Sequence, residues 1–143
     1  MKNEGHLIGN HTFNHSQLTK LGFDEAVEEI NTTNAWITNI SGYNPEYIRP
    51  PLGSVTDELL SETSMSVVMW NVDPLDWKYK NKDIVTDKIL KNVKNGDIIL
   101  MHDIFESSVD AAQTVIKELK KQDYVFVTVD KMNSNKQIIR RDK

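Results

Sequence analysis

The sequence predicts an α/β fold in which parallel strands alternate with helices. Two observations predict it: short apolar runs recur along the whole chain, and segments with the apolar spacing of helices separate these runs. Five strands and four helices can be counted, with no internal repeat. Such connections occur both in open α/β sheets and in β/α barrels, and in both folds functional residues gather at the carboxyl ends of the strands.

The first half of the chain contains two predicted strands and two predicted helices. In chain order these are His6–Gly9, Phe23–Ile40, Tyr47–Arg49 and Val55–Glu62. Gly42 is expected to end the long helix, because glycine readily adopts the left-handed conformation found there. Pro50 and Pro51 end the second strand, and Asp57 and Glu58 mark the first turn of the short helix. The apolar residues expected near one face of the long helix are Val27, Ile30, Ile37 and Ile40.

The second half contains three predicted strands and two predicted helices. In chain order these are Val67–Val72, Asp83–Val93, Asp97–Met101, Ser108–Lys121 and Tyr124–Val129. A turn at Asn95 and Gly96 separates the first of these helices from the strand that follows it. The residues expected to face inward from the second helix are Val109, Ala112, Val115, Ile116 and Leu119.

Composition and charge limit the class of protein. The 143 residues suffice for a single domain, and residues from about 130 to 143 are expected to form a C-terminal tail. A net charge of −4 and the lack of a basic stripe argue against nucleic-acid binding. The absence of cysteine excludes disulfides, thiolate nucleophiles and cysteine-rich zinc sites. No apolar run is long enough to span a membrane, and the N-terminus lacks the apolar region of a signal peptide.

Polar side chains that could take part in catalysis or metal binding follow four successive predicted strands. His11 and His15 follow the first strand, Arg49 ends the second, Asp76 follows the third and His102 ends the fourth. Because parallel strands deliver their carboxyl ends to one edge, we expect these groups to meet at one rim.

Each of these groups has more than one interpretation. The His11/His15 pair has the spacing of two metal ligands that need an additional carboxylate, although surface histidines in a loop could look the same. His102 could be a general acid held by Asp76, or a strand-end histidine bonded to backbone. Arg49 could orient a catalytic carboxylate or form an ordinary salt bridge. Trp77 could line a sugar or acetyl pocket, or pack beneath its loop.

Four motifs taken in order resemble one known family. They are His11-Thr-Phe-Asn-His15, Arg49-Pro-Pro-Leu-Gly53, Asp73-Pro-Leu-Asp-Trp77 and Leu100-Met-His102. Together, from Gly5 to about Val129, they resemble the polysaccharide deacetylases with a NodB homology domain, which form carbohydrate esterase family 4. The resemblance implies a distorted β/α barrel that removes N-acetyl or O-acetyl groups from glycans with the help of a divalent metal. Zinc is the metal expected, with cobalt or nickel as alternatives.

The resemblance also implies a role for each motif residue. His11 and His15 would bind the metal, and Arg49 would orient the catalytic base. Asp76 would tune His102 as the general acid. The residues implied to hold the oxyanion or the acetate are Leu52, through its backbone N–H, with Trp77 and Leu100. The implied substrate is peptidoglycan or a chitin-like polymer of N-acetylglucosamine, met outside the cell or in the cell envelope.

Two departures from the family pattern qualify these expectations. Leu52 stands where the family often has an aromatic or basic residue. The family motif Thr-Phe-Asp-Asp-Gly, whose aspartates supply the base and a third metal ligand, is absent, and no two aspartates are consecutive. We therefore expect an N-terminally truncated barrel that lacks its first strand or strands.

The activity of this chain is left open by the missing motif. The two alternatives are the deacetylase described above and a catalytically inactive, truncated deacetylase domain that binds glycan or metal weakly. Unpaired backbone at an exposed sheet edge would also favour self-association. A further alternative is an open α/β binding module whose histidines have no catalytic task.

Overall fold

The computed structural model describes residues 1–132, which form two compact units. The first unit comprises Met1–Met69, and the second begins at Trp70. Most of the predicted tail at about 130–143 lies outside the described residues, and the single domain over residues 1–143 stays a prediction. No helix among residues 1–132 is long and apolar enough to cross a membrane.

The first unit is built around one long helix and a short parallel sheet. Its α-helices and strands are, in chain order, α1 (Phe23–Ser41), β1 (Tyr47–Ile48), α2 (Asp57–Thr63) and β2 (Ser66–Val67). Strands β1 and β2 pair in parallel, which confirms the predicted direction of pairing. Gly42 ends α1 with φ 66°, and its N–H donates to the carbonyl of Thr38, as predicted.

The predicted strand His6–Gly9 is wrong. In place of that strand the structure has a single-residue parallel bridge between Asn10, directly after this segment, and Ile48. The chain turns on both sides of this short stretch, since Gly5 has φ 87° and Thr12 has φ 63°. The extended stretch is thus too short for a continuous ladder, although its apolar residues suggested one.

The core of the first unit lies where α1 and α2 pack on β1. Its buried members are Leu18, Ala26, Ile30, Ile48, Leu59 and Met65. The predicted helix face is confirmed at Ile30 and wrong at Ile40, whose side chain is 79% exposed. At 100° per residue Ile40 is rotated by about 80° from Ile30 around the helix axis, so it points away from the core.

The second unit is mainly helical. Its α-helices are α3 (Asp76–Tyr79), α4 (Lys82–Asn92) and α5 (Glu106–Lys120). Helix α4 packs against α5 over a core of Val85, Ile89, Ala111, Val115 and Leu119. The predicted inward positions Val109 and Ile116 on α5 are wrong, because the buried face follows the i, i+4 series through Ala111, Val115 and Leu119 instead.

Three more predicted strands are wrong in extent. Val67–Val72 contributes β2 at one end and a single bridge from Val72 to Ile99, and that bridge is also all that Asp97–Met101 contributes. Tyr124–Val129 forms no strand with any part of residues 1–132, and its Val125 side chain is 81% exposed. Apolar alternation marks a segment that can pair, but a strand forms only where a neighbouring segment offers its hydrogen-bonding groups.

Replacing Ile30 by alanine should destabilise the first unit strongly, because the deletion leaves a cavity in a fully buried position. We expect Ile30→Ala to lower the free energy of unfolding by about 2–5 kcal/mol in urea denaturation followed by circular dichroism. The matched control is Ile40→Ala on the same helix, which should change stability by less than about 0.5 kcal/mol. Equal losses from the two variants would contradict the assignment of the core.

Candidate functional site

The loop that carries His11 and His15 is held by the side chain of Asn10, which is buried. Asn10 Nδ2 donates to the carbonyl of Ile30 at 2.8 Å and to Asn34 Oδ1 at 2.7 Å, both on α1. Its Oδ1 accepts the N–H of Thr12 at 2.8 Å, which supports the left-handed conformation of that residue. The side-chain amide of Asn10 thus has a partner for each of its hydrogen-bonding groups. These hydrogen bonds compensate the free-energy cost of removing the amide from water.

The backbone of Asn10 joins the same loop to β1. Its N–H donates to the carbonyl of Tyr47 at 2.8 Å, and its carbonyl accepts the N–H of Arg49 at 2.9 Å. One residue therefore connects the histidine loop to α1 through its side chain and to β1 through its backbone. These contacts of Asn10 fix the backbone position of His11, the residue that follows it.

The two imidazole rings lie close together in the first unit. Their centroids are 4.9 Å apart and the ring planes are inclined at 72°. His11 Nδ1 contacts the carbonyl oxygen of Arg49. Because a carbonyl can only accept, Nδ1 carries the proton and Nε2 keeps its lone pair.

Asn14 and Glu29 hold the other end of the loop. Asn14 donates to the Glu29 carboxylate through its backbone N–H at 2.8 Å and through Nδ2 at 2.5 Å. Burial by itself would raise the pKa of Glu29, but the hydrogen bonds from Asn14 and from the backbone of Phe13 lower it overall. The ionised carboxylate therefore ties the loop to α1 immediately before His15.

The two histidines fit the role of metal ligands, but they form only part of a site. An imidazole whose Nδ1 donates to a carbonyl is oriented as metal-binding histidines commonly are, with Nε2 facing the ion. Residues 1–132 contain no group of three histidine, cysteine or carboxylate side chains placed to hold a metal ion. The pair can therefore supply two ligands, whereas zinc sites with an open position use three protein ligands.

Arg49 and Leu52 follow β1 in the same unit. Arg49 Nε donates to the carbonyl of Val68 at 3.2 Å, and burial lowers the pKa of the guanidinium. Leu52 adopts φ 57° inside the 3-10 turn Pro51–Gly53, and its side chain is 70% exposed. Its backbone N–H donates to no acceptor within residues 1–132, so this donor remains available to a ligand.

Asp76 and His102 contact each other in the second unit through both carboxylate oxygens of Asp76. Asp76 Oδ2 accepts the backbone N–H of His102 at 2.8 Å, and Oδ1 lies 2.8 Å from His102 Nδ1. Burial by itself would raise the pKa of Asp76, but the two hydrogen bonds from His102, with smaller contributions from Ser108 and from the charge of His102, lower this pKa overall. An ionised carboxylate can only accept, so Nδ1 of His102 carries the proton and Nε2 is left to exchange one.

The residues around this pair differ in exposure. Asp76 is fully buried, whereas the His102 side chain is 33% exposed and can meet solvent or a ligand. Trp77 is 50% exposed, which fits a pocket wall better than packing beneath its loop. Leu100 is buried, and its N–H donates to the carbonyl of Val72 at 2.9 Å.

The structure brings the predicted residues together within each unit. His11, His15 and Arg49 meet in the first, and Asp76 and His102 meet in the second. The sequence reasoning missed Asn10 and Glu29, which position the histidine loop. An asparagine directly before the first histidine was the available signal for Asn10, while Glu29 looked like any exposed residue of an amphipathic helix.

Nearly the whole chain is similar in sequence to known proteins. Residues 1–66 match the family model described as polysaccharide deacetylase. The peptidoglycan-N-acetylmuramic acid deacetylase PdaC of Bacillus subtilis (strain 168) is 44% identical over 136 residues, which are 95% of this chain and 29% of PdaC. The peptidoglycan-N-acetylglucosamine deacetylase PgdA of Listeria monocytogenes serotype 1/2a (strain 10403S) is 39% identical over 133 residues, which are 93% of this chain and 28% of PgdA.

A solved structure of PdaC from Bacillus subtilis is also similar to this chain. The TM-score is 0.91 at 44% sequence identity, and the match covers 96% of this chain and 68% of the solved chain. The predicted α/β fold of this deacetylase type is therefore confirmed. The chain spans less than a third of the length of the two curated relatives.

Asp76 should stabilise the second unit in a pH-dependent way. Its pKa is lowered in the folded state, so its contribution is complete above the ordinary carboxyl pKa of about 3.9 and is lost as the pH falls through the lowered value. We expect Asp76→Asn to reduce the free energy of unfolding at pH 7 by about 1–3 kcal/mol, because an amide group would face an N–H donor.

The measurement is urea denaturation between pH 7 and strong acid. The difference between the original chain and Asp76→Asn should shrink as the pH falls, since protonation removes the same acceptor. Asp110→Asn, at an exposed position on α5, is the control and should show no such trend. A difference that stays constant down to the lowest pH would contradict the role of the ionised carboxylate.

Proposed function

Because the chain belongs to the polysaccharide deacetylase family, we propose that it hydrolyses N-acetyl groups on the sugars of peptidoglycan. The observation that carries the proposal is the Asp76–His102 pair, in which a buried ionised carboxylate fixes one tautomer of a partly exposed imidazole. The relatives named above act on acetylated peptidoglycan sugars, which supports the choice of polymer and a place in the cell envelope. O-acetyl groups are the other substrate that the same chemistry would accept.

His102 is the proposed general acid. The amide nitrogen leaves as an amine and needs a proton when the C–N bond breaks. Nε2 can give that proton, while Asp76 holds Nδ1 and stabilises the imidazolium that gives it. The products are acetate and a free amine on the glycan, after addition of one water molecule.

The first unit supplies the proposed electrophilic groups. His11 and His15 would hold a divalent metal, with zinc expected and cobalt or nickel as alternatives. When bound, such a metal supplies Lewis-acid polarisation of the acetyl carbonyl. The backbone N–H of Leu52 would donate to the developing oxyanion. Arg49 would orient the base carboxylate that the family takes from the Thr-Phe-Asp-Asp-Gly motif, which this sequence does not contain.

A second candidate function is a binding module that recognises glycan or metal without turnover. The observation that favours it is that residues 1–132 contain no group of three histidine, cysteine or carboxylate side chains placed to hold a metal ion. The two candidates differ in what happens when His102 is changed. Only the deacetylase requires this imidazole, because recognition of a glycan or a metal does not involve proton transfer at Nε2.

Replacing His102 by alanine should remove the general acid. We expect His102→Ala to reduce acetate release from N-acetylated peptidoglycan by about 10²–10⁴-fold, in an enzymatic acetate assay with added zinc or cobalt. Metal binding should be unchanged, since His102 is not a proposed ligand. His6→Ala, at an exposed position outside the motifs, is the control and should keep full turnover. Equal acetate release from the original chain and His102→Ala, or none from either with glycan binding retained, would favour the binding module.

The histidine pair should bind zinc, but more weakly than a site with three protein ligands. In isothermal titration calorimetry we expect both His11→Ala and His15→Ala to abolish measurable zinc binding, because one imidazole alone is a poor site. His6→Ala is again the matched control and should bind zinc like the original chain. One zinc per chain that survives extensive dialysis would contradict a two-ligand site and would require another ligand.

A further inference from the structure

The second unit carries a local excess of positive charge directly after Asp76. From Trp77 to Lys91 the sequence has five lysines and two aspartates, although the whole chain has a net charge of −4. Lys91 pairs with Asp87 at 2.5 Å. The other four lysines form no ion pair within residues 1–132, and we call them the lysine cluster: Lys78, Lys80, Lys82 and Lys88.

Three ammonium groups of the lysine cluster lie over aromatic rings. Lys80 Nζ is 4.4 Å from the centroid of the Phe105 ring. Lys78 Nζ and Lys88 Nζ are 5.9 Å and 5.0 Å from the centroid of the Tyr79 ring. Such contacts orient a cation and stabilise it by roughly 0.5–1 kcal/mol at exposed sites, but they leave its charge in place. Two positive charges that share one ring favour the binding of an anion.

Two members of the lysine cluster, Lys80 and Lys82, occupy backbone positions that are unfavourable for lysine. Lys82 is the first residue of α4, where the helix dipole favours an acidic side chain. Lys80 adopts φ 47° between α3 and α4, a conformation that costs a residue with a side chain roughly 1–2 kcal/mol. Residues that violate local preferences without a structural gain are typical of functional segments.

The lysine cluster adjoins the Asp76–His102 pair. The backbone N–H of Lys80 donates to the carbonyl of Asp76 at 2.9 Å, and Phe105, beneath the Lys80 ammonium, follows His102 by three residues. Trp77 is half-exposed between Asp76 and the first lysine. Lys80 therefore connects the lysine cluster to the position where a sugar would offer its acetamide to His102.

We propose that the lysine cluster binds carboxylate groups of the glycan, so that the second unit prefers an acidic glycan to a neutral one. The proposal rests on the deacetylase function proposed above and names its substrate class. Exposed Trp77 and Tyr79 offer apolar faces to sugar rings of any charge, whereas the ammonium groups attract only an anionic polymer. A neutral chitin-like or xylan-like polymer would gain the ring contacts alone.

The test is a binding measurement on the full 143-residue chain with two forms of one polymer. Soluble N-acetylated peptidoglycan strands with free carboxylates are compared with the same strands after amidation of those carboxylates. At about 0.01 M salt we expect at least about tenfold tighter binding of the acidic form. The preference should disappear at about 1 M salt, where the Debye length is about 3 Å.

Variants of the lysines identify the residues responsible. The triple variant Lys78→Gln, Lys80→Gln, Lys88→Gln should lose the preference, and the corresponding triple arginine variant should keep it. Lys91→Gln and Lys121→Gln are matched controls, because these exposed lysines already pair with Asp87 and Glu118. Both control variants should keep the preference for the acidic polymer. Equal binding of the two polymer forms, or a glutamine triple variant that retains the preference, would overturn the proposal.

The binding assay separates this proposal from the deacetylase function. A chain that shows the salt-dependent preference but releases no acetate would support the lysine cluster and contradict the proposed activity. A chain that deacetylates both polymer forms and binds them equally would support the proposed deacetylase activity and contradict the role of the lysine cluster.

Discussion

The buried side chain of Asn10 is the constraint on which the first unit's candidate site depends. An asparagine amide can be buried without loss only if each of its groups finds a partner, and here α1 supplies two acceptors while the loop supplies one donor. The backbone of the same residue pairs with β1. Helix α1, strand β1 and the histidine loop are thus connected through a single residue. The backbone position of His11, the next residue, is therefore determined by both α1 and β1.

The second unit uses the same principle with a charge instead of an amide. Asp76 is fully buried, and both of its carboxylate oxygens accept hydrogen bonds from His102. The Ser108 hydroxyl lies near enough to lower the Asp76 pKa further, although it completes no hydrogen bond in the described residues. In the second unit the buried Asp76 carboxylate orients the His102 imidazole through Nδ1, whereas in the first unit Nδ1 of His11 contacts the Arg49 carbonyl in the loop that Asn10 positions.

The sequence predicted which polar side chains lie together within each unit better than it predicted the sheet, and the reason is physical. Motif residues such as His11 and Arg49 lie close to predicted strand ends, so their placement depends on local turns that short-range patterns specify. A strand depends on a partner that pattern cannot supply: Tyr124–Val129 alternates well and yet pairs with nothing in residues 1–132. Helix boundaries were predicted well for α1 because Gly42 ends it locally, whereas the exposed Ile40 shows that burial depends on what packs against a helix.

Backbone strain is concentrated at the candidate functional residues. Seven non-glycine residues among the described residues have positive φ, and four of them lie in the motifs: Thr12, His15, Leu52 and Leu75. A fifth, Lys80, belongs to the lysine cluster. Each costs roughly 1–2 kcal/mol relative to a relaxed backbone, which a fold retains only where surrounding contacts fix the conformation. Thr12 is fixed by Asn10, and Leu75 by the Asp73 carboxylate, which accepts its N–H at 2.9 Å. Lys80 has the N–H bond to the Asp76 carbonyl but no carboxylate for its ammonium group within residues 1–132, and that imbalance is what an acidic ligand would remove.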